Sequence, residues 1–188
     1  MSEIYISTDI EADGPIPGTY SMLSFACAAF NLDGQVIDTF ERNLECLPNA
    51  ETHPDTMEFW SRFPEAYKRT RENTVNPIYA MYDLNLWLKN LKGIPIFVGF
   101  PGAWDFMWMF WYTVEFTGEY GPFGYAGLDA KSFAMAHLKI PFSQSQKRNF
   151  PKEWFNPLME HTHVALDDAI EQGHMFINML RESRKNEI

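Results

Sequence analysis

Short apolar runs separated by polar and turn-forming residues open the chain. The run Ile4-Tyr5-Ile6-Ser7-Thr8-Asp9-Ile10-Glu11 is rich in β-branched and aromatic residues, and it predicts a strand over 4–12. A dense loop signal follows, Asp13-Gly14-Pro15-Ile16-Pro17-Gly18. Residues 20–31 read as a second, more continuously apolar strand. Asp33-Gly34 offers a hairpin turn into a third strand over 35–45. The period then changes. Residues 53–63 form a short amphipathic segment, with Pro54 suited to a first helical turn. Residues 64–73 carry Lys68, Arg69 and Arg71 and read as a solvated helix. In 77–91, Ile78, Met81, Tyr82, Leu84, Asn85, Leu88 and Leu91 recur near every 3.6 residues, until Gly93 stops the pattern. A short buried strand is predicted at 94–100. The helix predicted at 104–117 is apolar almost all round, so it is either central or covered by a partner subunit. A glycine-rich loop covers 118–127. Leu128-Asp129 ends a short strand, 130–138 is helical, 140–150 is irregular, 151–158 is a turn, and 164–184 is the last long helix.

This order, three strands and then helices interleaved with two short strands, predicts an α/β protein: a mixed β-sheet with helices on both faces. No composition shift or linker divides the chain, so 1–188 reads as a single domain. The 46% hydrophobic content, with 16 Phe, 8 Tyr and 6 Trp, is enough to fill a large core.

Charge and cysteines narrow the setting. A formal net charge of −10 argues against a long phosphate-tracking groove and for a short, local site, in which bound cations offset clustered acids. Only Cys27 and Cys46 occur, with no metal or disulfide framework. No signal-peptide pattern opens the chain, and no apolar stretch is long enough to span a bilayer. A cytoplasmic protein with no membrane contact is the expectation.

The chemistry begins at Asp9 and Glu11. Residues i and i+2 of a strand share a face, so both carboxylates project together, with Ile10 behind them. Such a pair repels unless a cation or shared protons intervene, and an oxygen-only set suits Mg²⁺ or Mn²⁺. The far end supplies His163-Val164-Ala165-Leu166-Asp167-Asp168. On a continuous helix, residues five apart lie roughly 140° around the axis from each other. His163 and Asp168 therefore converge only if His163 belongs to the loop or distorted turn before the helix. Asp167 points about 100° from Asp168 and suits the helix dipole instead. His161 and His163 form an H-x-H pair, but no third Cys or His lies at zinc-like spacing.

Asp9-Ile10-Glu11, an Asp after a short mid-chain strand, and His-x-Ala-x-Asp-Asp near the end resemble the DEDDh group of DnaQ-like 3′–5′ exonucleases, across residues 4–173. The resemblance implies a ribonuclease H-like fold and stepwise removal of nucleotides from a 3′ end with two divalent ions, Mg²⁺ or Mn²⁺. It implies Asp9, Glu11, Asp105 and Asp168 as ligands and His163 as general base. The tyrosine-bearing sister group places Tyr four residues before the last Asp, where this chain has Val164. Gly127-Leu128-Asp129-Ala130 resembles the family's strand-to-helix segment. The second motif, Gly99-Phe100-Pro101-Gly102-Ala103-Trp104-Asp105, lacks the usual upstream polar residue, and Asp129 and Asp83 are weaker substitutes for Asp105. The aromatic-rich middle, with Phe59-Trp60, resembles the small RNase AS-like exoribonuclease branch, which favours RNA over DNA as substrate.

Substrate contacts are expected at Trp104, which either stacks a base or joins the core. They are also expected at Gly14 and Pro15, in the loop 14–17 after Glu11 whose available backbone N–H groups would meet a terminal nucleotide, and at Lys147 and Arg148, toward phosphate. For these loop residues, ordinary loop roles remain the alternative. The expected partner is a single-stranded RNA or DNA 3′ end, and related enzymes imply a homodimer. The alternatives are a DNA exonuclease of the same family, a catalytically silent nucleic-acid-binding module, and an interaction subunit docking through 104–117.

Overall fold

The alternating N-terminal segments form strands β1 (Glu3–Ala12), β2 (Met22–Phe30) and β3 (Val36–Asn43), paired as the expected antiparallel meander. The computed structural model describes residues 2–159 and 161–185 of the chain. The β2–β3 turn closes at Gly34, whose φ of +79° suits glycine, while the Asn31 side chain accepts from the Gln35 N–H at 2.9 Å. Two further strands, β4 (Ile94–Gly99) and β5 (Leu128–Asp129), add in parallel on the other edge, giving the order β3-β2-β1-β4-β5.

Six α-helices are seen among the described residues: α1 (Pro54–Arg62), α2 (Pro64–Thr70), α3 (Pro77–Asn90), α4 (Gly102–Thr117), α5 (Ala130–Leu138) and α6 (Ala165–Lys185). Helices cover both faces, so β2 is buried along its whole length. One core joins Ile4, Ile6 and Ile10 of β1 to Met81 and Leu84 of α3 and Trp108, Met109 and Tyr112 of α4. The other joins Tyr5 of β1 to Ala134 of α5 and Ala169, Phe176 and Met179 of α6. Even-numbered residues of β1 thus face α3 and α4, which leaves the odd-numbered Asp9 and Glu11 on the α6 side. Helix α4 is central: Trp108 and Tyr112 are fully enclosed, and the Tyr112 hydroxyl accepts from the Met22 N–H at 2.6 Å. Full burial of such side chains contributes roughly 1.5–3 kcal/mol each. The core thus accounts for the buried face of α4, while Phe106, Met107 and Phe110 stay half-buried.

Helix and strand edges coincide with the sequence expectation or shift from it by up to three residues. Helix α4 starts two residues early because the Gly102 N–H donates to Asp129 Oδ1 at 2.8 Å. The segment read as irregular contains 3-10 turns at Phe142–Gln144 and Lys147–Asn149, and the turn that follows it contains a third at Lys152–Trp154. Buried Trp154 anchors it, donating to Glu182 Oε2 of α6 at 2.7 Å. Among the described residues, no helix is long and apolar enough to cross a membrane.

Candidate active site

Parallel strands β1 and β4 part company at their carboxyl ends. Their last paired residues are Ser7 and Val98, after which β1 continues through Asp9 and Glu11 while β4 turns out at Phe100-Pro101. Crevices of this kind, outside the carboxyl ends of strands, are where open α/β sheets bind ligands. A cleft of about 400 Å³ opens here, walled by Asp9, Phe100, Lys147, Arg148, His161 and Gln172.

Helix α6 brings Asp168 to the β1 acids. One carboxylate oxygen each from Asp9, Glu11 and Asp168 lie within 4.8 Å of one another. Gln172, one turn further along α6, pins the approach by donating to the Thr8 carbonyl at 2.6 Å. Asp105, in the first turn of α4, is 2% exposed and lies just outside this trio, close enough to interact with Asp9 and Glu11. Burial first, then the charges of Glu11, Asp105 and Asp168, push Asp9 well above the ordinary carboxylate range. Burial, Asp168 and Asp105 do the same to Glu11. Burial pushes Asp105 up to about 8, against the pull of the Phe100 and Ile10 N–H groups. Oδ2 of Asp105 is buried without a hydrogen-bond partner. Four acids that repel one another, all oxygen donors, one with an orphaned oxygen, fit a site built for hard divalent cations.

The pH dependence follows from these shifts. An acid with a raised folded-state pKa contributes stability that is fully present below its unfolded value and lost as pH rises through the folded one. For Asp105 the window runs from 3.8 to about 8. The melting temperature of chelator-treated protein is expected to fall from pH 5 to pH 8, and Mg²⁺ or Mn²⁺ to restore it most at pH 8, as checked by thermal melts.

Glycine makes room for Asp105. A Cβ on Gly99 would lie 2.7 Å from Asp105 Oδ2 and 2.9 Å from the Gly102 Cα. Gly99→Ala must therefore displace the start of α4. Misplacement near 1 Å costs on the order of 10²-fold in rate, so we expect a loss of that size with the fold retained, read by initial rates beside circular dichroism.

His163 lies in the loop before α6, as the helical spacing required. Its φ is +57°, and its N–H donates to Asp168 Oδ2 at 3.0 Å while the Thr162 N–H donates to Oδ1 at 2.9 Å. Its ring packs against Phe63, 4.2 Å between centroids, and edge-on to Phe59 at 5.0 Å. Burial and neighbouring His161 lower its pKa, with Asp168 opposing. Asp167 accepts from the Thr162 hydroxyl at 3.1 Å, a local role at the helix start.

The remaining expected residues divide. Lys147 pairs with Glu171 of α6 and, by its charge, favours the ionised forms of Asp9 and Asp105. Arg148 lines the cleft, and Trp104, 37% exposed, packs edge-on to Trp108. Gly14 is buried under the Tyr20 ring, which a Cβ would meet at 2.1 Å. Neither it nor exposed Pro15 lines the cleft at Asp9, because the loop folds back onto Tyr20. Asp129 caps α5 and holds the Gly102 N–H, and Asp83 pairs with Arg42, so neither replaces Asp105. Sequence reasoning missed Glu171, Gln172 and Phe63, and it named Phe59 only within a resemblance, without its contact to His163. Each acts across the fold, and none carries a local signal.

No protein-family model matches the chain. A curated relative does: the 3′-5′ DNA exonuclease Cap18 of Escherichia coli is 31% identical over 191 residues, covering 97% of this chain and 96% of the relative. The chain belongs to the DEDDh 3′–5′ exonucleases. Solved structures share the fold. The nuclease domain of 3′hExo, a DEDDh family member bound to rAMP, superposes with a TM-score of 0.70 at 15% identity, covering 96% of this chain and 92% of that one. The Mg²⁺- and Mn²⁺-bound form of S. pombe Pop2p gives 0.68 at 14%, covering 97% and 83%. The sheet and its helices are thus ribonuclease H-like, and this DEDDh exonuclease is a hydrolase of nucleic acid.

Proposed function

We infer that residues 1–188 form one exonuclease domain that removes nucleotides singly from the 3′ end of single-stranded DNA. The observation that carries this reading is the convergence of Asp9, Glu11 and Asp168 beside buried Asp105 and half-buried His163. DNA takes precedence over the RNA expected from the aromatic-rich middle, because the curated relative spanning nearly the whole chain is a DNA exonuclease.

Asp9, Glu11, Asp105 and Asp168 would hold two divalent cations, Mg²⁺ or Mn²⁺. Such ions, when bound, stabilise the attacking and leaving oxygens of an in-line displacement. The chain's own groups do the rest. His163, kept neutral by its lowered pKa, takes a proton from the attacking water. The new phosphorus–oxygen bond forms as the bond to the 3′ oxygen of the penultimate nucleotide breaks, releasing a nucleoside 5′-monophosphate. Lys147, held in place by Glu171, and Arg148 meet phosphate along the cleft wall, and the exposed edge of Trp104 offers a face for the terminal base. Two free thiols suit a reducing cytoplasm. A homodimer would cover the half-buried Phe106, Met107 and Phe110 of α4.

The test is a time course on 5′-labelled single-stranded DNA and RNA of one sequence, with Mg²⁺, Mn²⁺ or EDTA. Single-nucleotide laddering from the 3′ end, faster on DNA and abolished by EDTA, is the expected result. Activity that survives EDTA, or products shortened from the 5′ end, would reject the reading.

A further inference from the structure

Asp168 belongs to two clusters. One is the all-oxygen set with Asp9 and Glu11. The other joins it to His161 and His163, whose ligand atoms also lie within 4.8 Å of one another and of an Asp168 oxygen. The left-handed backbone at His163 folds the H-x-H segment back on itself, so that the two imidazoles, separated only by Thr162, meet at 4.5 Å between ring centroids. Nδ1 of His161 is 3.1 Å from Asp168 Oδ2. That is close to the separation of two ligands across a tetrahedral cation with bonds of about 2.0–2.1 Å. The sequence lacked a third ligand for this pair at zinc-like spacing, and the fold supplies it from α6.

We propose that His161, His163 and Asp168 form a second cation subsite that takes Zn²⁺ and thereby shuts the exonuclease down. The donor chemistry separates it from the neighbouring cage. Two imidazoles and a carboxylate suit zinc, whereas Mg²⁺ selects oxygen-only ligands. Access is open, because His161 is exposed and lines the cleft, while Asp168 is fixed at 1% exposure. Three protein ligands leave a position for water. Inhibition follows from sharing: Zn²⁺ on this subsite draws an Asp168 oxygen away from Asp9 and Glu11 and occupies the imidazole of His163. The inhibitory consequence rests on the exonuclease reading, and the binding does not.

The experiment therefore reads binding and rate separately. Metal-free protein is titrated with Zn²⁺ against a chromophoric chelator. Wild type is expected to take one Zn²⁺ per chain at this subsite and Asp9→Asn to retain it, while His161→Gln and His163→Gln weaken it at least about 10-fold. In the DNA assay at saturating Mg²⁺, the Zn²⁺ concentration for half-inhibition, each variant against its own uninhibited rate, is expected to rise at least about 10-fold in His161→Gln. Equal Zn²⁺ affinity in wild type and His161→Gln would overturn the proposal. So would loss of Zn²⁺ from Asp9→Asn, which would put the ion in the carboxylate cage. A chain that degrades no nucleic acid but still binds Zn²⁺ through His161 would refute the exonuclease reading and leave the subsite standing.

Discussion

Asp9→Asn is expected to lower the exonuclease rate by about 10³-fold or more, equivalent to about 4 kcal/mol of lost transition-state stabilisation. The same substitution is expected to raise the melting temperature of the chelated protein at pH 8. Both effects have one cause. Asp9 sits half-buried on the cleft wall among Glu11, Asp105 and Asp168, and its ionised form is disfavoured by desolvation and by all three charges. Asparagine keeps the shape and removes the charge, so folding no longer has to bring a fourth negative group into the cluster. For a domain of this size, each kcal/mol relieved moves the midpoint by about 2–4 °C. Saturating Mg²⁺ should reverse the order, since a ligand bound only by the folded state stabilises in proportion to its affinity, and wild type binds it better. Thermal melts with and without EDTA, beside initial rates, check this crossing. A variant less stable than wild type in EDTA would show that Asp9 is not held against its neighbours' repulsion.

His163→Asn is expected to reduce turnover by about 10²- to 10⁴-fold, the range for a general base, while Mg²⁺ binding and melting temperature stay close to wild type. Asparagine is the informative choice because the backbone at His163 is left-handed, a conformation Asn tolerates better than most residues. The N–H that donates to Asp168 Oδ2 is preserved. Turnover measured against pH separates the chemistry from the architecture. Wild type should lose rate on acidification as the imidazole takes a proton, with a midpoint below the ordinary 6.5, because burial and His161 lower this pKa. The variant should lack that limb. A variant that kept the wild-type rate would remove His163 from the mechanism.

Much of this was legible along the chain. The common face of Asp9 and Glu11 follows from the twofold period of a strand. The placement of His163 ahead of α6 follows from helical geometry, because residues five apart on a helix cannot converge. Helix and strand positions came through within three residues, and the order of acidic motifs pointed to the family that the relative then established. Periodicity is a property of local backbone geometry, so the sequence carries it directly.

Other features had no local trace. Gly99 reads as the end of a strand, and only the position of Asp105 across the turn shows why a side chain does not fit there. Asp129 looks like a candidate ligand until its oxygens are found capping α5 and holding the start of α4. Gly14 reads as loop punctuation, and only the fold shows the Tyr20 ring that leaves no room there for a Cβ. The H-x-H pair lacked a third donor until α6 brought Asp168 beside it. By itself, the sequence determined the elements and the shared face of Asp9 and Glu11 on β1, and it nominated the five residues of the proposed site. The tertiary structure alone decided which distant groups meet them, because those meetings depend on strand order and helix placement, and a local pattern records neither.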